Sequence, residues 1–273
     1  MRTNWFLSLI IFSVISLQLA WGQDIPSAPA PWSLEVSDAW IFVLPTTLST
    51  AFLPKGFADP VEEEVLRSEG AMIPDIGLMM LVRYSSSPVG PYDEMVYIPG
   101  RWAYENGDSG FRITRMYVNT SVSTFNGRKN WNIPKHTVDF DFRTSDLGVT
   151  TVSVSSPGSD TPFFSAKFLP TLAPIPVEIN STILTGDYLN LIQPPLPSGN
   201  LTAFPEEVAT DTWKQLVLNV KSKTVTANAV VGNLPGGKLG DGIGYPDVFP
   251  ALPIGVRVSG VLNFPVANES DSF

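Results

Sequence analysis

The sequence predicts a mainly β protein, an antiparallel barrel or sandwich with few short helices. The chain has 273 residues, of which 44% are hydrophobic and only 16% charged, so it can bury a sizeable core. Its 25 prolines and 21 glycines are dispersed along the chain, where they interrupt long helices. The segments between them are short, rich in β-branched and aromatic residues, and several alternate in the pattern of half-buried strands.

The first 22 residues predict a secretory signal peptide. Residues 5–20 are almost continuously apolar, Arg2 is the single charge, and Ala20 and Gly22 have the small side chains of a cleavage site. This stretch is slightly shorter than the roughly 20 residues that span a bilayer, so a retained signal anchor is the alternative. We expect a protein of the secretory pathway that is secreted and leaves the membrane once the signal is removed, or one that this segment anchors.

Four Asn-x-Ser/Thr sequons give weak support for export. We predict them as glycosylation sites, and they lie at Asn119, Asn180, Asn200 and Asn268. The absence of cysteine argues mildly in the opposite direction, because exported proteins commonly contain disulfides.

After the signal peptide we predict one domain. Residues 23–33 form a proline-rich linker, residues 34–265 form the domain, and residues 266–273 form a C-terminal tail. The best helix candidate covers residues 58–69, with Asp59 as its cap and Gly70 at its end, and we expect it to be the longest helix of the domain. The predicted strands cover residues 34–44, 76–84, 94–98, 111–118, 137–142, 150–155, 163–168, 214–220 and 224–231.

Composition excludes several classes of function. The net charge is −9, with 17 basic against 26 acidic residues, which disfavours nucleic acid and anionic membranes as partners. The chain has no cysteine and one histidine, His136, so it cannot build a disulfide, an iron–sulfur cluster, a cysteine nucleophile or a structural zinc site. We therefore predict no metal and no cofactor. Carboxylate, lysine, tyrosine and arginine chemistry remains.

Two short patterns suggest a ligand site but have a simpler explanation. Residues 232–239 nearly match a phosphate-binding loop, yet Leu239 replaces the Ser/Thr that would ligate Mg²⁺, and the residues that follow cannot form the required helix. Asp139 and Asp141 share one face of a predicted strand. With no third carboxylate nearby, we interpret them as an exposed polar face.

Two motifs carry the chemistry. Residues 87–100 read SPVGPYDEMVYIPG, and residues 126–136 read NGRKNWNIPKH. In these motifs the sequence resembles the acetoacetate decarboxylase family, most closely its branch in filamentous fungi, where the second motif reads Gly-Arg-x-x-Trp-x-Ile-Pro-Lys-His. The strong match covers residues 70–142, and a weaker one continues to about residue 265.

The resemblance implies an acetoacetate decarboxylase-like antiparallel β-barrel with a closed apolar cavity. It implies that Lys135 forms a Schiff base with a ketone and that Glu94 is the carboxylate of the site. A lysine with the usual pKa of about 10.4 is protonated at neutral pH and cannot attack a carbonyl. Burial in an apolar cavity would lower that pKa. We also predict that Tyr92, Arg83 and Arg128 contact the substrate.

The chain departs from the decarboxylase pattern at two positions. His136 stands where the pattern has a second lysine, and Ser85 stands where it has a further glutamate. Adjacent residues of an extended segment point in opposite directions, so His136 is either catalytic or a hydrogen-bonding side chain outside the cavity.

Three functional hypotheses follow. The first is a lyase-type enzyme (decarboxylase, aldolase or dehydratase) that acts on a β-keto acid or polyketide-like ketone of secondary metabolism through Lys135. The second is a non-covalent hydrolase or cyclase that uses Glu94 and His136. The third is an exported β-barrel that binds a small molecule without catalysis. The partner is a small ketone or keto acid in the first hypothesis, and a homo-oligomer is compatible with all three.

Overall fold

The computed structural model of the chain describes residues 24–171, 175–176 and 190–273. The predicted signal peptide and the predicted glycosylation site Asn180 lie outside these residues, and both stay predictions. Within the described residues, no helix is long and apolar enough to cross a membrane.

The architecture is mainly β, as the sequence predicts, and its large sheet curls into a half-barrel. The strands among the described residues are β1 (Trp32–Thr47), β2 (Ala71–Ile73), β3 (Asp75–Ser86), β4 (Tyr92–Ile98), β5 (Arg101–Ala103), β6 (Ser109–Phe111), β7 (Arg115–Val118), β8 (Lys135–Thr137), β9 (Asp139–Thr144), β10 (Thr150–Ser155), β11 (Pro162–Pro170), β12 (Ile175–Pro176), β13 (Asn190–Gln193), β14 (Trp213–Val217), β15 (Asn219–Gly232), β16 (Ile254–Phe264) and β17 (Asn268–Ser270). Eleven of these strands form the large sheet in the order β8-β7-β4-β3-β1-β16-β15-β11-β10-β9, with β12 paired to β15. The other six form a second sheet in the order β17-β14-β13-β6-β5-β2.

Most neighbouring strands pair antiparallel, and one of the parallel pairs matters for the site. β7 and β8 run parallel, with Met116 opposite Lys135, because the helix α2 (Ser121–Trp131) connects them in a β-α-β unit. β8 contains only three residues and lies at the edge of the large sheet. Its position therefore depends on contacts beyond the backbone ladder.

The large sheet is covered by apolar side chains on both faces. On β4 the alternation places Met95 and Tyr97 in one buried cluster, and Tyr92, Val96 and Ile98 in another. By the same alternation Glu94, which is only 2% exposed, projects towards the second cluster. A carboxylate is thus placed on an otherwise apolar face.

The predicted helix over residues 58–69 is much shorter in the structure. It becomes α1 (Glu63–Ser68), preceded by a turn in which Asp59 accepts a hydrogen bond from the Val61 amide. The prediction that it is the longest helix is wrong for the described residues, because α2 spans 11 residues. The carboxylate of Glu62, the residue before α1, points into a buried ion-pair cluster.

Sequence patterning does not reveal α2, because the helix buries polar residues. Its buried face carries Ser123, Thr124, Asn126, Gly127 and Arg128 in addition to Trp131. Both ends of this helix nonetheless have common capping residues. The Thr120 side chain caps the first turn by accepting from the Ser123 amide, and Asn132 ends the helix in the left-handed conformation with φ of 53°.

The predicted linker and the predicted C-terminal tail both make contacts with the rest of the protein. The segment predicted as a linker packs on α2, where the Asn126 side chain accepts from the Ala28 amide at 2.7 Å and donates to the Pro26 carbonyl at 2.8 Å. The predicted C-terminal tail contributes β17, which pairs with β14, and the ring of Phe273 packs against Tyr104. Residues of the predicted linker and of the predicted C-terminal tail thus both contact the predicted domain.

The buried amide of Asn126 should hold the N-terminal segment to α2. We expect Asn126→Ala to lower the free energy of unfolding by about 1–3 kcal/mol, because it leaves backbone groups without their partner. The half-buried Asn130, which donates one hydrogen bond to the Ala28 carbonyl, provides the matched control. Asn130→Ala should cost less than about 1 kcal/mol. Equal losses in chemical denaturation would contradict this assignment.

Candidate active site

The side chain of Lys135 is buried in the angle between α2 and the large sheet. Asn132 ends α2, and Pro134 leads directly into β8, so that Lys135 begins the strand opposite Met116. Its side chain is 2% exposed. A lysine at this depth requires a partner for its ammonium group or a loss of its proton.

Gly127 provides the space for this lysine. A Cβ atom at position 127 would lie 2.5 Å from Cδ and 2.7 Å from Cε of Lys135. Glycine within a helix is about 1 kcal/mol less favourable than alanine. Here that cost is offset because Gly127 leaves room for the lysine side chain. The glycine of the second motif therefore has a steric role.

Glu94 is the partner of Lys135. Its Oε2 lies 2.9 Å from the lysine Nζ, although the two residues are 41 positions apart in the sequence. Its Oε1 accepts a hydrogen bond of 2.9 Å from the Tyr84 hydroxyl. The two residues that the resemblance selected thus meet as a buried ion pair.

Two aromatic hydroxyl groups complete the surroundings of this pair. The Lys135 Nζ lies 5.1 Å from the centre of the Tyr92 ring, which is a cation–π distance. Burial raises the pKa of both Tyr84 and Tyr92 well above the usual value, and the negative charge of Glu94 raises both further. Both hydroxyls are therefore protonated, and Tyr84 is a hydrogen-bond donor to Glu94.

Ser123 is a site residue that the sequence did not reveal. Its Oγ accepts a hydrogen bond of 3.1 Å from the Lys135 Nζ, and it is fully buried in the first turn of α2. No motif marks this serine. The helix cap at Thr120 sets its position, so recognising α2 would have been the route to finding it.

His136 points away from this group. Its Nδ1 lies 2.7 Å from Glu207 Oε1, and its Nε2 lies 2.8 Å from Glu62 Oε2. Burial lowers the pKa of His136, but the charge of Glu62 and the hydrogen bonds to Glu207 and Glu62 outweigh burial and raise the pKa to about 10. Of the two alternatives left open by the sequence, these contacts favour the hydrogen-bonding side chain outside the cavity.

The two arginines predicted to contact substrate are engaged by the protein. Arg128 is fully buried, and its guanidinium contacts Glu62 and the carbonyl groups of Val208 and Pro197. Arg83 pairs with Asp93 at 2.9 Å on the strand face opposite to that of Glu94. The structure thus brings Lys135, Glu94 and Tyr92 together, and places both arginines elsewhere.

Tyr84 and Tyr92 also contribute to a cavity of about 460 Å³ at the end of the β3–β4 hairpin. The ion pair of Arg83 and Asp93 is part of its wall, and Asn119 is also a lining residue. Neither Lys135 nor Glu94 lines it. Because the lysine amine is buried, a substrate can reach it only if neighbouring side chains move.

Three predicted glycosylation sites lie on the surface. Asn119, Asn200 and Asn268 are exposed. Asn119 directly precedes the cap of α2, and its side chain accepts a hydrogen bond from the Asp93 amide. Glycosylation of these residues stays a prediction.

One cluster has the composition of a metal site but does not fit a cation. Candidate ligand atoms of Asp59, Glu62 and His136 lie within 4.8 Å of one another. Both ring nitrogens of His136 already contact carboxylates, and Arg128 pairs with Glu62. The positive charges that a metal would supply are present as side chains.

The fold and the buried ion pair define a class: a curled, mainly β domain that buries a pair of a lysine and a glutamate. No protein-family model and no curated protein matches the sequence. Solved structures of acetoacetate decarboxylase-like proteins do match the fold. Acetoacetate decarboxylase from Legionella pneumophila superposes with a TM-score of 0.59 at 12% identity, over 98% of this chain and 99% of that chain.

Two further solved structures also match the fold of this chain. The enduracididine biosynthesis enzyme MppR, complexed with pyruvate, has a TM-score of 0.54 at 13% identity, over 91% of this chain and 93% of that chain. An acetoacetate decarboxylase-like enzyme from Sphingomonas wittichii has a TM-score of 0.54 at 12% identity, over 90% of this chain and 95% of that chain. The chain therefore has the acetoacetate decarboxylase-like fold.

Because Gly127 and Lys135 are in close contact, the effect of a substitution at position 127 on the free energy of unfolding should depend on the residue at position 135. We expect Gly127→Ala to destabilise the protein by about 1–3 kcal/mol, because the new methyl group overlaps the lysine side chain. In a Lys135→Ala background the same substitution should instead stabilise by up to about 1 kcal/mol, through helix propensity. Chemical denaturation of the four proteins measures both values, and an equal effect in the two backgrounds would disprove the contact.

Proposed function

We propose that the protein is a lyase-type enzyme that acts on a ketone or keto acid through a Schiff base on Lys135. The observation that carries the proposal is the buried contact of 2.9 Å between the lysine Nζ and Glu94 Oε2. The comparisons support it at the level of reaction class. MppR has been solved with pyruvate and with the condensation product of pyruvate and imidazole 4-carboxaldehyde, both of which are carbonyl compounds.

Glu94 can generate the nucleophile that this chemistry needs. Transfer of a proton from the Lys135 ammonium to the carboxylate leaves a free amine and a neutral acid, and it removes two charges from an apolar site. Tyr84 remains hydrogen-bonded to Glu94 during the transfer. The proton stays within reach, so Glu94 can return it to the reacting groups.

The amine then attacks the substrate carbonyl carbon, and Glu94 protonates the carbonyl oxygen. A second proton passes from the nitrogen, by way of Glu94, to the resulting hydroxyl group, which leaves as water and gives an iminium ion between Lys135 and the substrate. If the substrate bears a β-carboxylate, the carbon–carbon bond breaks, its electron pair moves into the iminium, and carbon dioxide leaves. If it bears an α-hydrogen, Glu94 removes that proton instead, and the enamine can add to an aldehyde. The enamine left by decarboxylation takes up a proton from solvent at carbon, and water then hydrolyses the iminium ion, which releases the product and restores the amine.

Tyr92 and Ser123 suit the iminium stage. The Tyr92 ring faces the nitrogen at a distance that stabilises positive charge. Ser123 offers an oxygen 3.1 Å from the same atom. The proposal thus keeps Tyr92 beside the substrate, whereas Arg128 is held by Glu62 and the loop carbonyls, and Arg83 pairs with Asp93 in the cavity wall.

We further propose that the chain belongs to the filamentous-fungal branch of this family. The support is the motif Gly-Arg-x-x-Trp-x-Ile-Pro-Lys-His, which residues 127–136 match in full. Arg128 and Trp131 of this motif are buried in the structure, and they contact the loop and the strand that surround α2.

The Schiff base can be trapped chemically. We expect incubation with pyruvate or acetone and sodium borohydride to add one reduced ligand to the protein, detected by intact mass spectrometry. Lys135→Arg should abolish the adduct, because arginine keeps the charge but cannot form the imine. Lys214, a largely buried lysine that pairs with Glu269, is the matched control, and Lys214→Arg should be labelled like the wild type. An adduct on Lys135→Arg, or none on the wild type with either ligand, would refute the proposal.

The role of Glu94 can be separated from imine formation. A ketone bound as an enamine exchanges its α-hydrogens with solvent, so acetone in D₂O should lose its methyl proton signal when the enzyme is present. We expect Glu94→Gln to slow this exchange by about 10²–10⁴-fold, because the amide cannot carry the proton. Borohydride should still trap an adduct on this variant, although more slowly, because a buried lysine without its carboxylate partner can lose its proton to solvent.

Asp93 is the control for this experiment, since it neighbours Glu94 but points to the opposite face and pairs with Arg83. Asp93→Asn should exchange acetone hydrogens at the wild-type rate. If Glu94→Gln also retained that rate, the proton carrier would have to be another group.

A further inference from the structure

A second concave site lies between the ends of β1 and β4, and we call it the Tyr97 groove. Its volume is about 360 Å³, and it is lined by residues 44–48, 52, 54, 97, 99, 248 and 249. A groove of this size can hold a small molecule. Glu94 and Tyr97 project to opposite faces of β4, and neither Glu94 nor Lys135 lines the groove. The groove is therefore separate from the site at Lys135.

The chemistry of the lining selects a neutral ligand. None of the described residues that line the groove is charged, and apart from Thr46, Thr47 and Tyr97 all of them have apolar side chains. A charged molecule that entered would lose its hydration without gaining a partner, which is strongly unfavourable. A mainly apolar molecule would instead gain contacts with the aromatic rings of Phe52 and Phe249.

Tyr97 is the exception among the tyrosines of the described residues, because its hydroxyl group has no hydrogen-bond partner there. Its side chain is only 2% exposed. The hydroxyl groups of the other five described tyrosines all form hydrogen bonds; these residues are Tyr84, Tyr92, Tyr104, Tyr117 and Tyr245. A buried tyrosine hydroxyl normally has a partner. The Tyr97 groove is the place where a ligand can supply one.

The hydroxyl of Tyr97 can both donate and accept a hydrogen bond. Burial raises the pKa of Tyr97, so the group stays protonated. It therefore suits a ligand that carries a single oxygen on an otherwise apolar body.

The rim of the groove exposes large apolar side chains. Leu48 is 59% exposed and Phe52 is 68% exposed. Phe52 ends a short 3₁₀ turn, Thr50–Phe52, that buries none of its side chains. Arg67 holds this turn in place by donating a hydrogen bond of 2.8 Å to the Thr50 carbonyl. Exposed apolar side chains grouped around a groove are typical of a binding site, where the ligand covers them.

We propose that the Tyr97 groove binds a small, neutral aromatic alcohol, whose ring packs against Phe52 and Phe249 and whose oxygen pairs with the Tyr97 hydroxyl. This site goes beyond the proposed reaction, because it lies on the other face of β4 and needs no step at Lys135.

Three related probes test the chemical class. At neutral pH 2-naphthol is a neutral aromatic alcohol, naphthalene lacks the oxygen, and 2-naphthoate carries a negative charge. None of them has a ketone or aldehyde group, so none forms an imine with Lys135. In equilibrium dialysis, read by naphthyl fluorescence, we expect saturable binding of 2-naphthol and none of 2-naphthoate. Absence of saturable 2-naphthol binding, or equal binding of 2-naphthoate, would overturn the proposal.

Two substitutions locate the site. Tyr97→Phe removes only the hydroxyl group, and we expect it to weaken 2-naphthol binding by about 3–10-fold, the usual contribution of a neutral hydrogen bond, without changing naphthalene binding. Phe52→Ala removes an exposed ring of the rim and should weaken the binding of both probes by about 5–10-fold. Leu147→Ala is the control, since it removes an apolar side chain that is 85% exposed between β9 and β10, and it should change neither affinity.

The contrary outcomes are distinct. Unchanged 2-naphthol binding in both Tyr97→Phe and Phe52→Ala would place the ligand elsewhere, and loss of binding in Lys135→Arg would place it at the lysine. If sedimentation velocity showed an oligomer that Phe52→Ala dissociates, and 2-naphthol did not bind, the groove would be an interface between copies of the chain. Because the probes form no imine, these results hold whatever borohydride trapping shows for Lys135.

Discussion

Charge compensation in the protein interior is the constraint on which this site depends. Two adjacent residues of one short strand carry cationic groups into opposite sides of the sheet, Lys135 towards Glu94 and His136 towards Glu62 and Glu207. Neither group could stay buried and charged without its carboxylates. The turn before α1 provides Glu62 and the loop before β14 provides Glu207, so both segments meet at β8.

Charge compensation acts on both sides of the strand, but the partners of Lys135 and of His136 differ in number. On one side Lys135 has a single carboxylate partner, to which it transfers its proton in the proposed reaction. On the other side two carboxylates and Arg128 surround the histidine and keep its proton in place. The two adjacent residues thus have different electrostatic environments.

Much of the fold could be predicted from the sequence, and part of the site. The alternating run of β10, Thr150–Ser155, has the predicted bounds, because one face of that strand is buried and the other is not. Lys135 and Glu94 were found by motif resemblance alone, since no local pattern distinguishes them from surface charges. α2 and its Ser123 were missed because a helix that buries polar groups has no apolar stripe. Arg128 looked like a substrate ligand, and its true partners, Glu62 and the loop carbonyls, lie at least 66 positions away in sequence.

The sequence separations within the site also have a consequence for folding. Lys135 meets Glu94 across 41 positions, and His136 meets Glu207 across 71 and Glu62 across 74. Contacts of this range require closure of large loops and slow the search for the native topology. The ion pairs of β8 can therefore form only when these distant segments have come together. Until then Lys135 is separated from Glu94, and a partly folded chain carries a lysine without the buried partner that the proposed reaction requires.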